Sequence, residues 1–274
     1  MKESVGTEKS PLITVQYFYM QTGPICMADE KSLSRTGPLT PGENMDSGET
    51  SNWTLEQKED KSLEIIREAL ERYPGKLATT FTGGKDSLVV LHLFKRAGEG
   101  KVPVPVLNLD TTVKFKEALD FRDRIAREWD LDLIITTNNE GLKKIKLAED
   151  HEQCCLVMKA TAINMAVDEH GWKALATGVR WDEQPARINE EYFSERPEHT
   201  RVQPILHFSE LDIWAYIEKH RLPYCELYDQ GYRSLGCEPC TQKSARPRGD
   251  GPEREGRSQE KEEIMGQLRD LGYF

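Results

Sequence analysis

The feature that most constrains this chain is a short β-prone run that passes through two glycines into an apolar helical pattern. The run covers Leu77–Phe81, the glycines are Gly83 and Gly84, and apolar residues at helical spacing follow from Leu88. A strand that turns into a helix N-terminus presents backbone N–H groups and the positive end of the helix dipole, and both attract anions. The glycines carry no Cβ, so a phosphate can approach the backbone closely. The sequence therefore predicts a phosphate-binding turn.

The other side chains of this turn supply the groups that a nucleoside triphosphate needs. The hydroxyls of Thr82 and Ser87 can donate to phosphate oxygens, Lys85 can neutralise phosphate charge, and Asp86 can hold Mg²⁺. The turn differs from the Walker A loop because no Gly-Lys-Ser/Thr follows a four-residue spacer. The structural alternative is an ordinary strand–turn–helix corner whose glycines serve only the turn.

Predicted strands alternate with predicted helices from Trp53 onward, which indicates a parallel sheet covered on both faces. In such sheets ligands bind beyond the carboxyl ends of the strands, where the strand order reverses. We predict an α/β fold, a Rossmann-like doubly wound parallel sheet, followed by a mostly helical and loop C-terminal segment. The predicted strands are Leu77–Phe81, Val104–Leu109, Leu131–Thr136 and Lys173–Thr177. One helix is predicted to begin near Thr54. The other predicted helices cover Asp86–Arg96, Val113–Trp129, a segment after Asn139, and Cys154–His170.

Composition divides the chain into three regions and bounds its partners. Residues 1–52 lack periodicity and read as a loosely ordered extension with a β-prone stretch at Leu12–Met20; residues 53–245 form the predicted α/β domain, and residues 246–274 a tail and helix.

The 37 Lys and Arg against 47 Asp and Glu give a net charge of −10, which argues against nucleic acid unless a partner brings it. No apolar run reaches the length of a membrane span and no signal-peptide core is visible, so we expect a cytoplasmic protein.

The turn Thr82–Ser87 closely resembles the Ser-Gly-Gly-x-Asp-Ser loop of the PP-loop ATP pyrophosphatases, with Thr for the first Ser. In that superfamily the loop grips the β,γ-pyrophosphate while ATP is cut between its α and β phosphates. The resemblance implies an adenine nucleotide α-hydrolase-like fold with ATP and Mg²⁺ as cofactors. It also assigns a catalytic role to Lys85, Asp86 and Ser87, and nucleotide binding to Thr82, Gly83 and Gly84.

Two further strand ends resemble the phosphoadenosine phosphosulfate (PAPS) reductase family, the branch that includes the small subunit of sulfate adenylyltransferase. Asp110 and Thr111 follow the second strand, where the resemblance implies contact with the nucleotide and a helix cap is the structural alternative. After the fourth strand, a polar loop matches Gly-x-Arg-x-Asp-Glu-x-x-x-Arg. Two arginines beside carboxylates at a strand end suit an oxyanion. The loop contributes Gly178, Arg180, Asp182 and Arg187 to the predicted binding site.

Four cysteines form a second chemical signal. Cys154-Cys155 precede Cys237-x-x-Cys240 by about eighty residues. Four thiolates suffice for a [4Fe–4S] cluster, whereas adjacent ligands fit a single tetrahedral zinc poorly, so we favour the cluster with zinc as the alternative. The arrangement resembles adenosine phosphosulfate (APS) reductases, in which a lysine at the position of Lys159 lies between cluster and substrate.

The C-terminal Glu-Arg-x-Gly-Arg motif matches the segment that closes over substrate in this family, which implies substrate contacts for Arg254 and Arg257. The thiol-dependent reductases also end in a catalytic cysteine, but no cysteine follows Cys240 here. They also tend to have degraded PP-loops, whereas this loop is intact.

The leading hypothesis is therefore an adenylyl-transferring enzyme of sulfur metabolism that converts ATP and sulfate to APS and pyrophosphate and carries a [4Fe–4S] cluster. By resemblance, its partner would be a GTPase-type or redox subunit. The alternatives are an APS or PAPS reductase with an external electron or thiol donor, an Fe–S sulfurtransferase in DNA phosphorothioation or tRNA thiolation, and a non-enzymatic nucleotide-sensing module.

Overall fold

The computed structural model describes residue 50, residues 52–270 and residue 272. The chain divides into two units, residues 1–43 and 44–274, and every described residue belongs to the second. The expectations for residues 1–49, including the β-prone stretch Leu12–Met20 and Cys26, lie outside the described residues. The three proposed domain boundaries stay predictions.

The described residues form one six-stranded sheet with the order β3-β2-β1-β4-β6-β5. All neighbours are parallel except the edge pair β5 and β6, which is antiparallel. The strand order reverses between β1 and β4, which confirms the doubly wound parallel sheet and places the switch point beside the glycine turn. The strands are β1 Leu77–Thr80, β2 Val106–Leu109, β3 Leu133–Thr136, β4 Ala174–Ala176, β5 Phe193–Glu195 and β6 Thr200–Val202.

Helices cover both faces of the sheet. They are α1 Leu55–Arg72, α2 Lys85–Ala97, α3 Lys116–Glu128, α4 Asn139–Leu142, α5 His151–Cys155, α6 Ala162–His170, α7 Glu210–Lys219, α8 Gln259–Glu263 and α9 Met265–Asp270. A π-helix, Leu156–Thr161, joins α5 to α6, and 3₁₀ turns lie at Trp181–Glu183, Pro185–Arg187, Glu226–Tyr228, Glu238–Cys240 and Glu253–Gly256. None of the helices within the described ranges is both long and apolar enough to cross a membrane.

The buried core explains why the glycine turn is rigidly supported. Helix α2 is buried on most of its surface and packs with α1 and α7 on one face of the sheet, where Leu77 and Val89 are fully or almost fully covered. On the other face, Ala78 and Leu107 pack against Ile163 of α6. The turn therefore joins a central strand to a buried helix, and neither can shift without disturbing close packing.

Several predicted elements differ from the structure. The predicted helix Cys154–His170 is interrupted, because the π-helix separates α5 from α6. The helix predicted after Asn139 is a single turn. The edge hairpin of β5 and β6 was not predicted, since each strand has only three residues and the sequences Phe-Ser-Glu and Thr-Arg-Val carry little hydrophobic alternation.

His207 gives the fold a testable dependence on pH. Its Nε2 donates to the backbone carbonyl of Lys58 (2.9 Å) and its Nδ1 accepts from the Tyr192 hydroxyl (3.2 Å), so the neutral ring satisfies both partners. Burial lowers the pKa of His207 to about 4. The unfolded chain therefore binds more protons than the folded chain below the ordinary histidine pKa. We expect the free energy of unfolding to fall by up to about 3 kcal/mol as the pH drops from about 6.5 to about 4.

The check is urea unfolding of the wild type and His207→Gln across that pH range. The variant should show a shallower dependence on pH, because glutamine cannot be protonated there. His170→Gln is the matched control, since His170 is exposed. Equal slopes for the wild type and His207→Gln would show that this histidine does not titrate as described.

Candidate functional site

The turn Thr82–Ser87 is held in one conformation by its own hydrogen bonds. Gly83 has φ +80°, and a Cβ at this position would lie 2.6 Å from the Ala118 carbonyl oxygen of α3. The Ser87 hydroxyl accepts from the Thr82 N–H (3.2 Å) and donates to the Gly84 carbonyl (3.0 Å). Gly84 is the N-cap of α2. The turn therefore presents the start of a long helix, and only glycine fits its tightest position.

A cleft of about 210 Å³ opens over this turn at the carboxyl ends of the central strands. Tyr228, Lys114 and Glu183, to which the sequence analysis gave no role, also line it. The residues predicted from sequence that line the cleft are Thr82, Gly84, Asp86, Ser87, Thr111, Lys159, Gly178, Arg187, Arg254 and Arg257. The structure thus brings together most of the predicted nucleotide- and oxyanion-binding residues in one place.

Lys85 and Arg180 lie beneath the cleft rather than along it. Both side chains are fully buried and share Asp86: Lys85 Nζ is 2.9 Å from one carboxylate oxygen and Arg180 Nε is 2.7 Å from the other. Both also pair with Glu253, from the 3₁₀ turn Glu253–Gly256. Burial would lower the pKa of Lys85, but Asp86 and Glu253 raise it above its ordinary value. The predicted phosphate contact of Lys85 stays a prediction.

Asp182 and Asp110 lie near the cleft without lining it. Arg180 donates to one Asp182 oxygen, and the other accepts from the Glu210 N–H at the start of α7 (2.9 Å). Burial raises the pKa of Asp182 to about 6 even though Arg180 opposes that shift. Asp110 accepts from the Thr112 N–H (2.7 Å) and so closes its own turn. It does not cap a helix, because α3 begins at Lys116 with Phe115 as its N-cap.

The arginines of the cleft are arranged by carboxylates and by the C-terminal segment. Glu183 pairs with both Arg187 and Arg254, the latter at 2.8 Å, and these charges outweigh burial and hold the pKa of Glu183 well below its usual range. Arg257 donates to the Ser234 hydroxyl (3.3 Å) and to the Leu235 carbonyl (3.2 Å). Arg254 also pairs with Glu262 (2.7 Å). The cleft lining as a whole holds four arginines and two lysines against Asp86 and Glu183, an excess of positive charge suited to an anion.

Sequence reasoning missed Glu253 and Tyr228. The Tyr228 hydroxyl accepts from the Lys85 N–H (2.8 Å), so it occupies one of the first amides of α2. Glu253 is the glutamate of the quoted Glu-Arg-x-Gly-Arg motif, so its position was available in the sequence. Its partners were not, because Lys85 lies 168 residues earlier in the chain.

The four cysteines line one small second cavity of about 10 Å³ beside the cleft. Thr111 and Lys159 line both cavities, so they lie between the thiols and the cleft. All four are free thiols: Cys154, Cys155, Cys237 and Cys240. Within the part of the chain that the structure describes, no group of three or more His, Cys, Asp or Glu side chains is spaced to hold a metal ion.

The surroundings of these thiols are electropositive. Burial raises the pKa of Cys237, but Lys159, Lys114 and a hydrogen bond with the Thr111 hydroxyl (3.2 Å) together lower it to about 6. The π-helix that carries Lys159 begins directly after Cys155. π-Helical turns are uncommon and are frequently found at functional sites. The cavity is lined by four thiols and the His151 imidazole, with no carboxylate among the described residues, a donor set that suits iron–sulfur or zinc chemistry.

Comparison with known proteins identifies the family. The family model for the phosphoadenosine phosphosulfate reductase domain matches residues 76–243. Sulfate adenylyltransferase subunit 2 of Saccharophagus degradans is 34% identical over 205 residues, an alignment that covers 64% of this chain and 66% of that protein. The chain thus spans slightly less than two thirds of that relative's length.

Solved structures agree on the fold. The PAPS reductase of Candida auris superposes with a TM-score of 0.56 at 21% identity, covering 69% of this chain and 96% of that one. The FMN adenylyltransferase of Candida glabrata superposes with a TM-score of 0.59 at 19% identity, covering 83% and 92%. The fold, the glycine turn at the switch point and the match over residues 76–243 lead to one conclusion: the chain belongs to the phosphoadenosine phosphosulfate reductase family.

Proposed function

We propose that this protein transfers the adenylyl group of ATP to sulfate, forming APS and pyrophosphate, as a subunit of a sulfate adenylyltransferase. The observation that carries the proposal is the intact turn Thr82–Ser87, which opens into a cleft that is also lined by four arginines. The name of the Saccharophagus degradans relative supports the same activity. It also supports a second subunit, for which a GTPase is our candidate.

In the proposed reaction, the β- and γ-phosphates lie over the turn, where the hydroxyls of Thr82 and Ser87 donate to them. The amides at the start of α2 also donate, except that of Lys85, which is bonded to the Tyr228 hydroxyl. Asp86 would hold Mg²⁺, which neutralises phosphate charge when bound. A sulfate oxygen attacks the α-phosphorus, the bond from that phosphorus to the bridging oxygen breaks, and pyrophosphate leaves with the electron pair. The protein contributes positioning and charge neutralisation, and no covalent intermediate is required.

Arg187, Arg254 and Arg257 would hold the sulfate, because they provide the cationic side of the cleft. Gly236 allows a direct test. A Cβ on Gly236 would lie 2.1 Å from Arg257 Nη2, so Gly236→Ala must displace the guanidinium without removing its charge. We expect the KM for sulfate to rise at least about tenfold and the KM for ATP to change far less.

The assay is pyrophosphate release from ATP with increasing sulfate, together with identification of APS, in the presence and absence of GTP and a GTPase subunit. Gly266→Ala is the matched control, since nothing lies within 4 Å of the position of its Cβ. Wild-type protein that releases no pyrophosphate in response to sulfate, with or without the partner, would refute the proposed function.

We further propose that Cys154, Cys155, Cys237 and Cys240 hold a [4Fe–4S] cluster, with zinc as the alternative. The support is that cysteines from two distant parts of the sequence line one cavity. Among the described residues, no aspartate or glutamate lines it. A cluster would supply a fixed charge or an electron-transfer group beside Lys159. Lys159 lines both cavities, which supports this arrangement.

Anaerobic purification followed by iron, zinc and acid-labile sulfide analysis tests this second proposal. We expect about four iron and four sulfide per chain and a broad visible absorption. Cys237→Ser should lose both, whereas Cys225→Ser should keep them, because Cys225 is buried in the apolar core and does not line the cavity. One zinc per chain would establish the alternative, and equal metal content in both variants would refute the assignment.

Reduction of APS is the second candidate function, and the position of Lys159 between the thiols and the cleft favours it. In that reaction two electrons from an external donor convert APS to sulfite and AMP. Release of sulfite from APS with a chemical reductant, but no pyrophosphate from ATP and sulfate, would select the reductase.

A further inference from the structure

The strongest unexplained feature of the site is the burial of two cations beside the glycine turn. Lys85 and Arg180 have no exposed side-chain surface, and both pair with Glu253, whose side chain is only 4% exposed. Glu253 belongs to the segment 246–257, which we call the tail segment. A glutamate from the tail segment thus bridges two side chains that the sequence assigned to phosphate or sulfate.

The tail segment is also held from its other side. Arg233 pairs with Glu210 (2.6 Å) and donates to the Asp250 carbonyl at 2.8 Å, with longer contacts to the next two carbonyls. These carbonyls come immediately before Glu253. Two arginines therefore contact residues 250–253. Arg233 contacts the backbone carbonyls of residues 250–252, and Arg180 contacts the Glu253 carboxylate.

The residues that follow Glu253 are those that reach the cleft. Arg254 lies against Glu183, and Arg257 lies against Gly236 and Leu235. The same stretch is joined to the Cys237–Cys240 loop, because the Gln242 N–H donates to the Gly256 carbonyl (2.6 Å) and the Ser258 N–H donates to the Cys240 carbonyl (3.1 Å). Glu253 immediately precedes this stretch, so its pairing with Lys85 and Arg180 acts together with the contacts to the Cys237–Cys240 loop in holding Arg254 and Arg257 at the cleft.

We propose that Glu253 is a positioning residue: it docks the tail segment on Lys85 and Arg180 and so places Arg254 and Arg257 in the cleft. The proposal rests on the proposed function, because it assigns these two arginines to the substrate. It gives Lys85 a docking role under the cleft. Glu253 touches no substrate in this arrangement and acts only through its neighbours in the tail segment.

A competing explanation makes the opposite prediction. If the Glu253 carboxylate merely occupies the place of a phosphate, nucleotide must displace it from Lys85 and Arg180, and removing its charge would strengthen binding. If Glu253 docks the tail segment, removing its charge loosens the segment, withdraws the cleft arginines and weakens the binding of sulfate without strengthening that of ATP. Whether the affinity for ATP rises separates the two.

The experiment compares Glu253→Gln with wild type in the full chain by titration calorimetry with Mg·ATP and by limited trypsin digestion. Docking predicts a KM for sulfate at least about fivefold higher, measured by pyrophosphate release, and no gain in the affinity for Mg·ATP. It also predicts at least about tenfold faster cleavage after the arginines of the tail segment, read by mass spectrometry. Glu255→Gln is the matched control, because Glu255 lies in the same 3₁₀ turn but its carboxylate contacts Arg246 within the tail segment instead of Lys85 or Arg180. It should match wild type in all three measurements.

Glu253→Asp keeps the test decisive if the glutamine variant does not fold. Aspartate retains the charge but cannot reach both cations at once, so docking predicts smaller changes in the same two directions. Tighter binding of Mg·ATP, or unchanged digestion of either variant, would overturn the proposal. A wild type that binds no ATP but still shows the expected digestion pattern would refute the proposed function and leave the docking of the tail segment intact.

Discussion

Replacing Gly83 with alanine is expected to lower ATP-dependent pyrophosphate release at least about 100-fold, because the phosphate-binding turn cannot keep its position. Gly83 has φ +80°, which an L side chain rarely adopts, and its new Cβ would lie 2.6 Å from the Ala118 carbonyl oxygen. That oxygen belongs to the backbone of α3 and cannot rotate away. The turn must therefore move relative to α2, and the phosphates move with it.

Gly75→Ala separates displacement of the turn from the cost of the backbone conformation. Gly75 has φ +67°, but nothing lies within 4 Å of the position of its Cβ. This variant should lose about 1 kcal/mol of stability and keep its activity. The measurement is the initial rate of pyrophosphate release, with thermal unfolding recorded for both variants. Similar activity for Gly83→Ala and Gly75→Ala would show that the geometry of the turn does not control the reaction.

Removing Arg180 is expected to cause the largest loss of stability. Its guanidinium is fully buried and pairs with Asp86, Asp182 and Glu253. In Arg180→Met, Lys85 remains as the cation that contacts two of these three carboxylates, Asp86 and Glu253. Taking one partner from a buried ion pair costs about 3–5 kcal/mol, since the remaining charge stays out of water. Urea unfolding measures the loss, and Arg67→Met is the control because Arg67 is exposed.

The way in which the loss of stability in Arg180→Met depends on pH shows whether unpaired charge causes it. Without Arg180 the folded-state pKa values of the carboxylates rise, and that of Asp182 is already about 6 with the arginine present. The folded variant then binds more protons than its unfolded chain, so its stability falls as the pH rises. The difference between variant and wild type should be larger at about pH 8 than at about pH 5.5. A difference that does not change with pH would point to lost packing instead of unpaired charge.

The sequence predicted those parts of the fold and site that depend on local patterns. The helix start at Thr54 is confirmed, with Gln57 completing a capping box. Strands β1 to β4 lie within their predicted ranges because apolar runs bounded by turn residues define them. The cleft also lies where the rule for parallel sheets expects it, at the switch point beside β1.

The remaining features depend on contacts that no local pattern encodes. Lys85 follows two glycines and so suggested a phosphate ligand, but its side chain is turned into the protein by Asp86 and by Glu253, which is 168 residues away. The interruption of the predicted helix after Cys155 is similarly invisible, because the residues of the π-helix are ordinary helix formers. In both places tertiary electrostatics and packing outweigh local preference.

The most direct test of the central claim is the fate of oxygen when ATP is incubated with ¹⁸O-labelled sulfate and the reconstituted enzyme. Attack by sulfate on the α-phosphorus over the turn Thr82–Ser87 predicts APS whose oxygen between sulfur and phosphorus carries the label, with unlabelled pyrophosphate as the other product. Formation of ADP and phosphate, or of AMP whose phosphate carries no label, would contradict the account.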